Sequence, residues 1–257
     1  MTDVLVCVKR VPDNSGEILL TDDAQSVDAR HVGFTVSAHE VCAVALAVEV
    51  AAATDGEATV LTLGPGDAVE QARDAVAVGC ASAVLIEADS GAYGPADVSR
   101  AIAEVVLAHA ERGRTYDLVL LGNDAADTGD FQVGARLGYE LDRPVLTGIS
   151  TLDVTGRTVT ARGDGPGGAE VFEVPLPAVV TVMEGGVTPR YPSVPGRMKA
   201  KRATVETVIP RTAPTGGGRV RLKLPPAQPS SVQILGEGPD AAPAVVDLLE
   251  RLGVLPT

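Results

Sequence analysis

Apolar positions in the first half of the chain fall into short unbroken runs, separated by longer stretches with helical spacing. The runs are VLVCV (Val4 to Val8), EATVLTLG (Glu57 to Gly64), SAVLIE (Ser82 to Glu87) and DLVLLG (Asp117 to Gly122). A strand with one wet face alternates apolar and polar residues, whereas a strand covered on both faces does not. These runs therefore predict parallel strands between layers of helices. The stretches between them carry helix starts. Ser37 and Glu40 have the spacing of a capping box before VCAVALAVEVAAA, and Asp67 and Glu70 repeat it before QARDAVAVG. Pro95 suits the first turn of ADVSRAIAEVVLAHAERG. A β-α-β-α-β order follows, which predicts an α/β fold with a mainly parallel sheet covered by helices.

Past Pro144 the texture changes. In TLDVTGRTVTARGDGPGGAEVFEVPLPAVVTV, strand-like segments flank Gly-rich turns, and a β-hairpin fits them better than a helix. GGVTPRYPSVPGRMKAKR, Gly185 to Arg202, holds three prolines and three glycines, which forbid a regular helix across most of it, so a rigid loop is expected. From Pro210 onward Pro, Gly and Ser dominate until PDAAPAVVDLLERLGVL, a short amphipathic helix. The domain reading is one α/β domain over 1–209, with its loop at 185–202, and an extended C-terminal arm over 210–257. An arm of that size cannot make a domain and must lean on something.

Composition narrows the class. The 257 residues carry a net charge of −13 and are 45% hydrophobic, which suits a chain that buries a sizeable core. Cys7, Cys42 and Cys80 sit in apolar runs without C-x-x-C spacing and read as buried thiols. MTDVLVCVKR has none of the features of a signal peptide, and no apolar run approaches the roughly 20 residues that a membrane helix needs. A cytoplasmic protein without membrane insertion is expected. Charge is uneven, because Gly185 to Lys223 holds nine basic residues against one acid, Glu206. Such asymmetry marks a docking surface. With Tyr191 as its one aromatic and an acidic chain behind it, the stretch lacks the character of a nucleic-acid interface.

Little else points to chemistry. GDGPGG has G-x-G-x-x-G spacing but opens no helix, so it reads as a hairpin turn. His31, His39 and His109 are scattered and read as surface or helix decoration. No nucleophile, base or metal site is evident, and no catalysis is expected. One loop differs. LLGNDAADTGDFQVGARLG leaves a buried strand at Leu121 and enters a helix near Phe131. The carboxyl end of a parallel strand feeding a helix N-terminus gathers backbone N–H groups and favours an anion such as phosphate. Gly122, Gly129 and Gly134 let the backbone come close. Spacing alone leaves this reading and that of an ordinary βα connection both open. TLGPGD, Thr62 to Asp67, is a second strand end that would face it across the switch point.

Taken in order along nearly the whole chain, these segments resemble the β subunit of electron transfer flavoproteins. VCVKRVPD is similar to that family's opening strand, GNDAADTGDFQVG to its nucleotide-binding loop, and PPAQPSSVQIL to its tail. The most specific match is LPAVVTVMEGGVTPRYPSVPGRMKAKR, which resembles its signature and recognition loop without a gap. The chain departs from the family in two places. VSAHE stands where Asn-Pro, an aromatic and an acid are common, keeping Glu40 alone, and Val194 stands in place of a leucine.

The resemblance implies an adenine-nucleotide α-hydrolase-like fold and an electron carrier without catalysis of its own. An α subunit would hold the redox FAD, and this subunit would bind AMP structurally. AMP contacts would fall at Cys7, at Leu63, Gly64 and Pro65, and along Asn123, Ala125, Asp127, Gly129, Asp130, Phe131, Gln132 and Val133. Val194, Pro195, Met198, Lys199, Lys201 and Arg202 would dock a client flavin dehydrogenase, with electrons passing toward a quinone reductase. An alternative within the family is an electron-bifurcating subunit, in which a second FAD replaces AMP and NADH is oxidised. Outside it stand a nucleotide-binding stress-type protein and an ATP pyrophosphatase, the latter opposed by VKRVPDNSGE in place of a phosphate loop.

Overall fold

Every residue of β1 (Val4–Val8) is buried, and this strand lies in the middle of a nine-stranded sheet. The computed structural model describes residues 1–13, 15, 17–217, 220–226 and 232–255. Arg219 of the basic stretch and residues 227–231 of PPAQPSSVQIL lie outside them. After β1 come a two-residue antiparallel ribbon, β2 (Val11–Pro12) with β3 (Phe34–Thr35), and then α1 (Ala38–Ala53). The alternation continues through β4 (Ala58–Gly64), α2 (Val69–Val78), β5 (Ser82–Glu87), α3 (Pro95–Glu111), β6 (Leu118–Gly122) and α4 (Val133–Leu141). β7 (Val145–Thr155), β8 (Thr158–Gly165), β9 (Gly168–Pro175) and β10 (Ala178–Val182) follow, then α5 (Val194–Arg202) and β11 (Val205–Val208). The sheet order is β11-β5-β4-β1-β6-β10-β7-β8-β9, parallel from β11 to β7 and antiparallel beyond.

The unbroken apolar runs have the cause expected of them. Val4, Val6 and Val8 face one core with α1 and α2, while Leu5 and Cys7 face the other with α3 and Leu137 of α4. Val60 and Leu61 on β4 divide in the same way, as do Leu118 and Val119 on β6. Each such side chain, fully buried, contributes about 1.5–3 kcal/mol. Ser37 and Glu40 form the capping box in both directions, and Pro95 occupies the first turn of α3. GDGPGG is the β8–β9 turn, with Gly165 paired to Gly168.

Four expectations need correction. The second half of the supposed loop at 185–202 is helix α5. Pro195 lies in its first turn, where a missing N–H costs nothing, and Ser193 caps it by accepting the Gly196 N–H. Gly196 is required for packing, since a Cβ there would stand 2.1 Å from the Ala77 carbonyl oxygen of α2. Asp67 caps nothing. The Ala68 N–H bonds the Pro65 carbonyl at 2.8 Å, a tight 3-10 turn takes residues 66–68, and α2 starts one residue later. His109 is no decoration: it is buried, 2.9 Å from the Tyr116 hydroxyl and 3.2 Å from Glu206 of β11. His39 is engaged too, its Nδ1 accepting the Glu184 N–H.

Contacts divide the chain into two units, Met1–Leu222 and Lys223–Thr257. Residues 211–216 belong to the first as a strap on α3. The Glu104 carboxylate accepts from the Arg211 N–H at 3.0 Å and the Thr212 hydroxyl at 2.5 Å. Asp97 accepts from the Thr215 N–H at 3.0 Å, its hydroxyl at 2.8 Å and the Gly216 N–H at 2.9 Å, as well as from Gly94 at 3.1 Å. Burial alone would raise the Asp97 carboxyl, but these donors outweigh it and hold it down at about 2. The second unit contains α6 (Ala242–Arg251), none of whose residues is buried.

Candidate functional site

Strands β4, β1 and β6 are neighbours in level register, Cys7 pairing with Leu61 on one side and Leu121 on the other. The chain winds one way from β1 to β4 and β5, then crosses to β6 on the far side of β1. Their carboxyl ends therefore form the switch point of an open α/β sheet, the edge where such folds bind ligands. The structure brings Cys7, Leu63, Gly64 and the loop from Asn123 to Gln132 to this edge. Cys7 is buried, and burial together with the charge of Glu40 pushes its thiol far up, so it stays protonated. Leu63 and Gly64 are buried and Pro65 is exposed.

The loop has unusual backbone. Gly129 lies at φ 60° and Phe131 at φ 53°. A left-handed bulky residue is strained, and such strain collects at ligand sites. Phe131 is 61% exposed. Behind it, Gln132 at the N-cap of α4 makes no side-chain capping bond and turns its Oε1 to the Arg136 guanidinium at 2.9 Å, so among the described residues no side chain covers the first N–H groups of the helix. A bare helix N-terminus accepts an anion. Gly134 allows α4 to approach β10, since a Cβ there would meet Thr181 Cγ2 at 2.1 Å. Ala125 ties the loop together through its carbonyl, which accepts from the Thr128 and Gly129 N–H groups. The Asp124 Oδ1 atom is buried without a hydrogen-bond partner. Asn123 is already committed, its Oδ1 accepting from the Gly148 N–H at 2.9 Å and the Thr181 hydroxyl at 2.5 Å.

Sequence reasoning missed Lys9 and the carboxylate of Glu40. Lys9 Nζ lies 2.6 Å from Asp127 and 3.4 Å from Thr128, and its N–H donates to Glu40 at 2.6 Å. Burial pushes the Glu40 carboxyl up to about 7, against the lowering effect of donors from Ser37 and Lys9 and of the Lys9 charge. The available signal was position: Lys9 directly follows a fully buried strand, where a charge serves the edge rather than the core.

The docking residues are brought together elsewhere, on α5 against α2. Val194 is 77% exposed and Met198 49% exposed, one turn apart, with Lys199, Lys201 and Arg202 exposed in the last turn. Basic residues there also complement the helix dipole. Among the described residues, no group of three or more metal-ligating side chains gathers and no helix is long and apolar enough to cross a membrane.

These features define an α/β protein with a mainly parallel central sheet and a basic helix on a separate face. The electron transfer flavoprotein domain matches residues 26–212. Electron transfer flavoprotein subunit beta of Syntrophomonas wolfei is 32% identical over 235 residues, covering 91% of this chain and 90% of its own. The subunit of the same name from Bacillus subtilis is 31% identical over 255 residues, covering 96% and 97%. Subunit CarD of the caffeyl-CoA reductase-Etf complex of Acetobacterium woodii is 30% identical over 198 residues, covering 77% and 74%. The chain belongs to the electron transfer flavoprotein family, with its β subunits.

Proposed function

We propose that this chain is the β subunit of a heterodimeric electron transfer flavoprotein and holds AMP at the carboxyl edge of β4, β1 and β6. The observation that carries the nucleotide reading is the uncapped start of α4 behind a loop with left-handed Gly129 and Phe131. The residues fit the group: bare N–H groups suit a phosphate, and the unpartnered Asp124 oxygen suits a hydroxyl or amino donor. AMP supplies charge and shape rather than redox chemistry. The electrons would travel on FAD held by the α subunit, so this chain orients and docks rather than catalyses. Helix α5 meets a client dehydrogenase, its Val194 and Met198 entering an apolar pocket and its lysines and Arg202 steering the approach, before electrons pass toward a quinone reductase.

A second reading places another FAD in the same edge and oxidises NADH there. It draws on the 30% identity to a subunit named for a complex with a reductase. The experiment is to co-express the chain with its α partner, denature the purified complex and quantify the released nucleotides. One FAD and one AMP per pair is the expected result. Two FAD, bleached by NADH, would make the second reading correct.

A further inference from the structure

One buried side chain, Glu40, links the three backbone segments that meet at the nucleotide edge. Its Oε1 accepts the Lys9 N–H at 2.6 Å, just past β1. Its Oε2 accepts the Ser37 N–H at 2.8 Å and the Ser37 hydroxyl at 3.0 Å, at the start of α1. Gly122, at the end of β6, lies so close that a Cβ there would fall 2.7 Å from Glu40 Cγ. From these anchors the loop after β6 is reached twice. The Lys9 ammonium grips Asp127 and Thr128, and the Ser37 hydroxyl lies 3.2 Å from the Asp124 carbonyl.

We propose that Glu40 is a positioning residue for the nucleotide site: acting through Lys9 and Ser37 it sets the loop after β6, and it holds both ties only as a carboxylate. The inference rests on reading that edge as the nucleotide site. Its chemistry is a matter of donors. Both oxygens face backbone N–H groups, so a proton on Oε1 would oppose the Lys9 N–H and one on Oε2 would oppose the Ser37 N–H. The Ser37 hydroxyl has a single hydrogen for two acceptors, so it must also turn when Oε2 gains a proton. Either way one backbone tie to Glu40 is lost: a proton on Oε1 releases the Lys9 segment, whose ammonium holds the loop, and one on Oε2 releases the Ser37 N–H while sending the Ser37 hydrogen to the Asp124 carbonyl.

The charged and titratable neighbours are few. Lys9 favours the carboxylate, and the Cys7 thiol is kept neutral by burial. Asp127 is paired with Lys9, and His39 is taken by the Glu184 N–H. Asp124 presents only its carbonyl to Ser37. With burial opposing the charge, the carboxyl titrates at about 7, so the ties tighten and loosen around neutral pH.

The test uses the co-expressed complex, with AMP as the probe. Two quantities are read at pH 6 and pH 8: hydrogen exchange of residues 123–132, corrected for the intrinsic pH dependence, and the rate at which AMP is lost on dilution. Wild type should loosen and lose AMP faster at pH 6, by up to about tenfold, the ratio of carboxylate fractions for a group titrating near 7. Glu40→Gln should behave at both pH values as wild type does at pH 6. Lys9→Met, which removes the grip on Asp127 and Thr128 but keeps the backbone N–H that faces Glu40, should loosen the loop at both. A wild-type loop whose exchange is the same at pH 6 and pH 8, or a Glu40→Gln complex indistinguishable from wild type at pH 8, overturns the proposal. A loop that responds as expected in a complex releasing neither AMP nor a second FAD upholds the tie and removes the nucleotide reading instead.

Discussion

Helices α1 and α6 are both rich in aliphatic residues, yet ten residues of α1 are buried and none of α6 is. In α1 the apolar residues run round the helix, as in AVALAV, so it folds only where other elements surround it. In α6 they occupy one stripe, Val245, Val246, Leu248, Leu249 and Leu252, opposite Asp247, Glu250 and Arg251. One helix belongs to the core of its own chain. The other presents an apolar stripe none of whose residues is buried, and we propose that it closes on a partner surface.

The largest effect expected from breaking that contrast is in α1. Leu46→Ala, at a position 3% exposed, should cost about 2–5 kcal/mol of stability, read by denaturant unfolding. Truncation after Pro225 should do the reverse. It should leave the melting of the first unit nearly unchanged and weaken heterodimer formation by roughly a hundredfold, about 3 kcal/mol, read by subunit dissociation on dilution. A truncated chain that binds its partner as tightly as the full one would remove the arm from the assembly.

The strap sharpens the boundary between the two regions. Asp97→Asn should free residues 211–216 to proteolysis at a cost of about 1–3 kcal/mol, the usual loss when a carboxylate with several donors is replaced. The pH sign follows from the direction of its shift. The Asp97 carboxyl is held at about 2, below its ordinary value near 4, so the strap's stabilisation is present above pH 4 and lost as pH falls through 2. Glu40 acts in the opposite sense on global stability. Its carboxyl is raised to about 7, so its contribution is full below its ordinary value and is lost as pH rises through 7, tightening the loop at the expense of the fold. Melting temperature in the Glu40→Gln variant should lack that decline. The smallest effect belongs to docking: Val194→Ala should slow dehydrogenase-coupled reduction by roughly tenfold or less, about 1 kcal/mol, with the flavin spectrum unchanged.

The parallel half of the fold was legible because burial on both faces leaves a strand no polar positions. VLVCV and SAVLIE coincide with β1 and β5 residue for residue. Strand β11 was not legible. VETV is four residues at a sheet edge, half polar, and it pairs with a strand more than a hundred residues earlier. Helix α5 was hidden by Pro195 and Gly196, which read locally as breakers and act in place as a helix start and a close contact. As a connection from a buried strand into a helix, the loop from Asn123 to Val133 was readable from its glycines and from the strand before it.

By itself the sequence determined which segments must be interior, where α1 and α3 begin, and which loop carries a helix N-terminus, because apolar runs and caps depend on neighbours within a few residues. Tertiary structure alone decided that Glu40, Lys9 and Asp127 are one connected group, and that residues 211–216 belong to α3. Those contacts join positions 31 to 119 residues apart. A carboxylate's partners are whichever donors the sheet order brings to it, and that order is set by the packing of whole layers, which no local pattern records.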